Sequence, residues 1–304
     1  MSYLKIRILF LLILIYIFFY VIFFKKLKVC ICTIGKKENL YVREYVDYYK
    51  KMGIDKIFIY DNNEKNDEKF DLVLKDYIEN GLVEIVDIRG KEAPQFEAME
   101  DCRKKNFKNY DWLLFYDMDE FLFLRNFSNI KDFLKQKHFD KCQRIQLNWY
   151  IHTDNNLFYY DNRTLAQRFP EKKFATNGKI LILSKVVKSM LRGNIDVNIT
   201  GVHNLNFNLI GCNGFGQIKK ISLTQTKEPD NYYYYIDHYW SKSTEEFVNK
   251  VNRGDVNQGF RNDKYNMERM YYYFLYNDIT KEKIDYIENK TKYNLTLFRL
   301  KIRK

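Results

Sequence analysis

A chain of 304 residues with 46% hydrophobic and 17% aromatic content can hold one large folded domain or two modest ones, and its 3 Pro and 12 Gly argue against long flexible linkers. The net charge of +12 is scattered rather than clustered, and no zinc-finger, RNA-recognition or basic-zipper spacing accompanies it, so no nucleic-acid partner is expected. Cys30, Cys32, Cys102, Cys142 and Cys212 suit neither a zinc site nor a disulfide framework by their spacing, and all five read as buried thiols.

Residues 8–24 (ILFLLILIYIFFYVIFF) are apolar or aromatic without a charge, and no small-residue cleavage site follows them. An uncleaved transmembrane helix is expected, with the lipid bilayer as partner through residues 8–24. Lys5 and Arg7 precede this segment and Lys25, Lys26 and Lys28 follow it, too even a balance to assign sidedness. The expectation is therefore a single-pass protein, type II in the Golgi or ER of a eukaryote, or on the cytoplasmic face of a bacterial membrane. Residues 1–27 form the tail and anchor in this reading, 28–260 the folded body (28–125 and 126–260 as its halves), and 261–304 a helical tail.

The body opens with a short apolar strand, Val29–Ile34. Val42, Tyr45, Val46 and Tyr49 stand at helical spacing over 40–52, and Gly53 stops that helix. Lys56–Tyr60 is a second strand, ending at Asp61. Phe70, Val73, Leu74, Tyr77 and Ile78 mark a second helix; Leu82–Ile88 is a third strand, and 95–106 a third helix. Trp112–Tyr116 is a fourth strand, ending in Asp117-Met118-Asp119-Glu120. After residue 121 the alternation blurs. Helix is expected near 128–137, strand at Arg144–Ile151 and in the apolar run Lys179–Leu183, loops through 199–240, and helices at 264–276 and 280–290. The sequons at Asn126, Asn162, Asn198, Asn289 and Asn294 occur about as often as chance gives in an Asn-rich chain; they matter only on the lumenal side of a membrane.

Short strands alternating with helices predict a mostly parallel, doubly wound central sheet flanked by helices, with ligands at the carboxyl ends of its strands. If strand geometry persists, Asp117 and Asp119 point the same way. Two carboxylates aimed at one point need a cation between them, and a hard divalent metal that also carries a substrate diphosphate is the expected resident. No Gly-x-Gly-x-x-Gly or Walker A loop is present, which excludes a dinucleotide cofactor and a P-loop kinase.

The order of several blocks resembles a glycosyltransferase of the A-type, Rossmann-like nucleotide-diphospho-sugar transferase fold, within it family 92 and its family 2-like relatives. The blocks are Lys37-Glu38-Asn39 with Glu44-Tyr45 and Gly53; Ile59-Tyr60-Asp61-Asn62; Gln95 with Cys102; Trp112 through Phe121; Lys179 with Lys185 and Lys188; Gly201-Val202-His203-Asn204; and His238 through Phe247 with Arg253-Gly254-Asp255. The resemblance implies metal-dependent, inverting transfer of a galactose-like hexose from a nucleotide sugar, a UDP-sugar first, to a glycan acceptor, with Mn²⁺ (or Mg²⁺). It implies Asp117, Asp119 and His203 as metal ligands, with His238 as the rival of His203. Asp61, Gln95, Asp117 and Lys242 would contact the nucleotide sugar, and Glu120 would orient a neighbouring backbone or basic group. Asp154, with Glu97 and Glu92 as alternatives, is the expected general base. Two other functions compete: a non-catalytic membrane-anchored recognition protein on the same fold, and a metal-dependent nucleotidyl or phosphoryl transferase.

Overall fold

The computed structural model describes residues 7, 26–92, 94–176, 179–218, 233–254, 263–296 and 298–299. The expected membrane span at 8–24 lies outside them, and among the described residues no helix is long and apolar enough to cross a membrane.

The first half alternates as its sequence predicts: β1 (Val29–Gly35), α1 (Asn39–Lys51), β2 (Lys56–Asp61), two short helices (Phe70–Val73 and Lys75–Glu79), β3 (Val83–Asp87), α2 (Gln95–Asn106) and β4 (Trp112–Leu114). Successive strand side chains point to opposite faces. Val29, Ile31, Ile57, Ile59 and Leu114 accordingly join one core with the Tyr and Val residues of α1, while Cys30, Cys32, Phe58, Tyr60 and Leu113 join a second core with α2. Burial on both faces is why these strands read as unbroken apolar runs.

The second half departs from the expectation of a mostly parallel sheet. It adds β5 (Glu120–Leu124), β6 (Arg144–His152), β7 (Val187–Arg192) and β8 (Tyr234–His238). Among the described residues the sheet runs β3-β2-β1-β4-β7-β6-β8-β5, with two-residue strands at Lys172–Lys173 and Gly211–Cys212 added beside β6. The pairings from β3 to β4 are parallel, and β6 with β8 is parallel; β7 is antiparallel to both β4 and β6, and β5 to β8. The sheet is mixed because β7 lies antiparallel between β4 and β6, and β5 closes the far edge antiparallel to β8. The run Lys179–Leu183 is also corrected. Only Lys179–Ile180 is extended; Ile182–Lys185 winds into a 3₁₀ turn, and the long strand beside β4 starts at Val187.

Helices α3 (Thr244–Asn252), α4 (Asp263–Tyr276) and α5 (Lys281–Lys290) share a third core through Phe247, Val251, Met270, Tyr273, Ile284 and Ile287. A reciprocal capping box starts α3, with Ser243 accepting from the Glu246 N–H and Glu246 from the Ser243 N–H.

The expectation of five free thiols is overturned for four of them. Cys32 pairs with Cys102 and Cys142 with Cys212, each across 70 residues, and Cys30 alone stays a buried thiol. The first bridge ties β1 to α2; the second ties the segment before β6 to its added edge strand. Sequence spacing missed both because each joins elements that meet only after the sheet has formed. Replacing Cys142 and Cys212 together by Ala is expected to cost roughly 4 kcal/mol, the chain-entropy value for a loop of this length, read as a lower urea midpoint.

Candidate functional site

Strand order reverses between β1 and β4, and a crevice opens there at their carboxyl ends, as it does in open α/β sheets. A cavity of about 190 Å³ fills it, lined by Gly35, Lys36 and Glu38 after β1, Gln95 of α2, and Asp117, Met118 and Asp119 after β4. Trp149, Lys188, His203, His238, Trp240, Lys250, Arg253 and Arg269 close the other side. At Gly35 a Cβ would stand 2.6 Å from Met118 Cε and 2.8 Å from Phe70 Cζ, so any larger residue would have to push these two side chains aside where β1 meets the acidic loop.

The acids do not share a strand face. β4 ends at Leu114, and Asp117–Glu120 is a turn in which the Glu120 N–H donates to the Asp117 carbonyl at 3.0 Å. The two carboxylates therefore diverge to different partners. Lys188 Nζ donates to Asp117 Oδ2 at 2.7 Å and lies 3.4 Å from Glu120 Oε1. Lys250 Nζ donates to Asp119 Oδ2 at 2.7 Å, and His238 Nε2 lies 3.4 Å from Asp119 Oδ1. Glu120 is fully buried beneath them and accepts the Asp117 N–H at 3.1 Å.

Burial works against every charge here, and the pairs decide which survive. Burial would raise the Asp119 carboxyl, but Lys250 and His238 outweigh it and hold it well below the usual range. For Glu120 burial wins over Lys188, and its carboxyl is pushed well up. Burial also pushes Lys250 down, and drives the His203 imidazole to about 3 with help from Lys188. His238 is lowered by burial against the pull of Asp119. Both imidazoles are therefore neutral near pH 7, the form that ligates metals.

The expected site residues separate into two groups. Asp117, Asp119, Gln95 and His203 meet in the cavity. His203 Nδ1 lies 3.2 Å from the Val187 carbonyl, and the Trp149 ring packs against both His203 and His238. It is His238, on β8, that touches Asp119. Asp61 instead closes its own turn, its Oδ1 accepting from the Asn63 N–H and side-chain amide, outside the cavity lining. Lys242 sits behind the wall, its Nζ 3.3 Å from Glu38 Oε2 and over the Tyr41 ring.

Asp154 is not brought to the cavity. It is 1% exposed, accepts from the Tyr273 hydroxyl at 2.8 Å, and pairs with Lys283 Nζ at 2.7 Å, pinning the loop after β6 to α4 and α5. This overturns the expected general base, since a carboxylate sealed in an ion pair under the C-terminal helices cannot reach an acceptor hydroxyl. Asp154→Asn is expected to lower stability by about 3–5 kcal/mol, because it strands the buried Lys283 charge. Turnover per folded molecule stays unchanged, which a thermal melt beside an active-fraction assay would separate.

Lys250, Trp149, Trp240 and Arg269 were not expected in the site. The Ser243…Glu246 capping signal dates the start of α3 and so fixes which face carries Phe247 and Val251, but not that Lys250 reaches Asp119 131 residues away in sequence. Arg253 donates to Glu38 at 2.5 Å and, with Lys242, holds that carboxyl low against burial.

A divalent cation fits part of this arrangement. Among the described residues no three His, Cys, Asp or Glu side chains stand close enough to hold an ion by themselves. Asp119 and His238 offer one hard oxygen and one borderline nitrogen side by side, a donor set that suits Mn²⁺ and leaves further positions for phosphate oxygens.

A family model described as glycosyltransferase family 92 matches residues 25–271. A glycosyltransferase family 92 protein of Ricinus communis is 29% identical over 114 residues, 36% of this chain and 20% of that protein. One of Oryza sativa subsp. japonica is 26% identical over 107 residues, 35% of this chain and 18% of that protein. The matched stretch thus spans about a fifth of the length of these curated relatives. The crystal structure of S. aureus TarS 1-349 in complex with UDP-GlcNAc aligns with a TM-score of 0.38 at 11% identity, covering 87% of this chain and 79% of that one. With the family match running from before β1 into α4, this chain belongs to glycosyltransferase family 92.

Proposed function

We propose that the chain is a membrane-anchored transferase on an A-type glycosyltransferase fold, moving a hexose from a nucleotide sugar to a glycan acceptor. The observation that carries this reading is the pairing of strand-end carboxylates with buried cations in one crevice: Asp117 with Lys188, Asp119 with Lys250, and Arg253 beside them. A diphosphate leaving group gathers negative charge as the glycosidic bond breaks, and preorganised cations in a dry cleft stabilise it. Lys188, Lys250 and Arg253 have the charge for this, and exchanging carboxylate for phosphate costs each of them no new burial.

Asp119 and His238 would hold Mn²⁺ or Mg²⁺, with Asp117 and Gln95 beside the nucleotide; such an ion supplies Lewis-acid neutralisation of the diphosphate. The neutral state of His238 keeps its nitrogen available. Trp149 and Trp240 exclude water from the wall. A screen of UDP- and GDP-sugars with Mn²⁺, read as nucleotide release with and without a glycan acceptor, tests the proposal; no release from any donor, and no nucleotide binding by calorimetry, would sink it.

A further inference from the structure

We propose that the body of this chain folds on the oxidising, glycan-transferring side of the membrane, where Asn126, Asn162, Asn198, Asn289 and Asn294 accept N-linked glycans. Two independent observations lead there. The first is the pairing Cys32–Cys102 and Cys142–Cys212, all four sulfurs buried. Structural disulfides persist where thiols are not continuously reduced, and they are rare in a reducing cytosol. The second is the surface position of every sequon: all five asparagines are exposed, Asn126, Asn162 and Asn198 in loops, Asn289 in the last turn of α5 and Asn294 just after it. A glycan cannot be packed into a core, so one buried member would have broken the pattern. None of the five lines the candidate cavity.

The chemistry closes. In each bridge two thiols give up two electrons and two protons to a protein disulfide of the compartment, which becomes a dithiol. At each sequon the asparagine amide nitrogen attacks the anomeric carbon of a lipid-diphosphate-linked oligosaccharide. An N–C bond forms, the C–O bond to the diphosphate breaks, and the amide proton is lost as the lipid diphosphate departs. The same placement decides what the flanking charges left even: with residues 8–24 as the anchor, the amino terminus stays on the cytosolic side.

The test uses the full chain expressed in cultured eukaryotic cells. Thiols are alkylated before lysis and peptides are mapped without reduction, while a parallel sample is treated with an N-glycan-releasing amidase. The expected result is four unalkylated cysteines joined as the two stated pairs, and a mobility shift that shrinks by one step with each Asn→Gln substitution and vanishes in the five-fold variant. A band unmoved by the amidase, or alkylation of all four bridged cysteines, overturns the proposal. Neither readout depends on turnover, so a glycosylated chain without transferase activity would count against the proposed function alone.

Discussion

Asp119→Asn is expected to lower kcat/KM for nucleotide-sugar turnover by at least ~10²–10³-fold, the scale on which one preorganised electrostatic contact to developing charge is lost. The amide keeps the shape and one acceptor for Lys250 Nζ, which stands 2.7 Å from the carboxylate, so the fold should survive. What disappears is the negative charge that balances Lys250 and, with His238, forms the two-donor edge of the cavity. Titration with Mn²⁺ in the presence of UDP, followed by electron paramagnetic resonance, should show loss of the bound-ion signal. Retained ion binding and full activity would remove Asp119 from the site. The pH dependence has a defined sign. The folded Asp119 carboxyl lies well below its ordinary 3.8, because Lys250 and His238 outweigh burial. Its contribution is therefore present above about pH 3.8 and is lost only as pH falls through the lower folded value. The stability gap between wild type and Asp119→Asn should be level from pH 5 to 8 and close only in strong acid.

What could be read from the residues divides at the fourth strand. Up to Trp112 the pattern of buried parallel strands and amphipathic helices is local, so β1 to β4 and the place of the acidic turn were legible. Beyond it, β5 begins inside the motif itself at Glu120, and β7 inserts antiparallel between β4 and β6. Nothing in a strand's own composition states which neighbour it takes. The site follows the same division. Asp117 and Asp119 were legible as strand-end acids, but their partners Lys188 and Lys250 lie 71 and 131 residues away. Asp154 failed for a related reason. A carboxylate in a loop after a strand looks available from sequence, and only the packing of α4 and α5 over it shows that Tyr273 and Lys283 have claimed it.

Lys188→Met should be the most destabilising single change in the cavity wall, at about 3–5 kcal/mol near pH 8, the cost of breaking a buried ion pair by removing one partner. Lys188 is 2% exposed and serves two carboxylates, Asp117 at 2.7 Å and Glu120 at 3.4 Å. Its own ammonium is held above the usual lysine range, since those two acids outweigh burial. Without it Glu120, already raised by burial from its ordinary 4.5, rises further. A carboxyl raised in the folded state contributes stability below its unfolded value and loses it as pH climbs through the folded one. The unfolded carboxyl is common to both proteins, so the deficit of Lys188→Met should be smallest in acid and widen only once pH climbs past the already raised folded value of Glu120 in wild type, as seen in urea denaturation at several pH values. A gap independent of pH would mean that Lys188 acts through packing alone. The second variant separates the two accounts directly: adding Glu120→Gln to Lys188→Met removes the stranded charge at nearly constant volume. It should recover at least half of the lost stability at pH 8 and almost none at pH 4.5, whereas a packing role predicts no recovery at either.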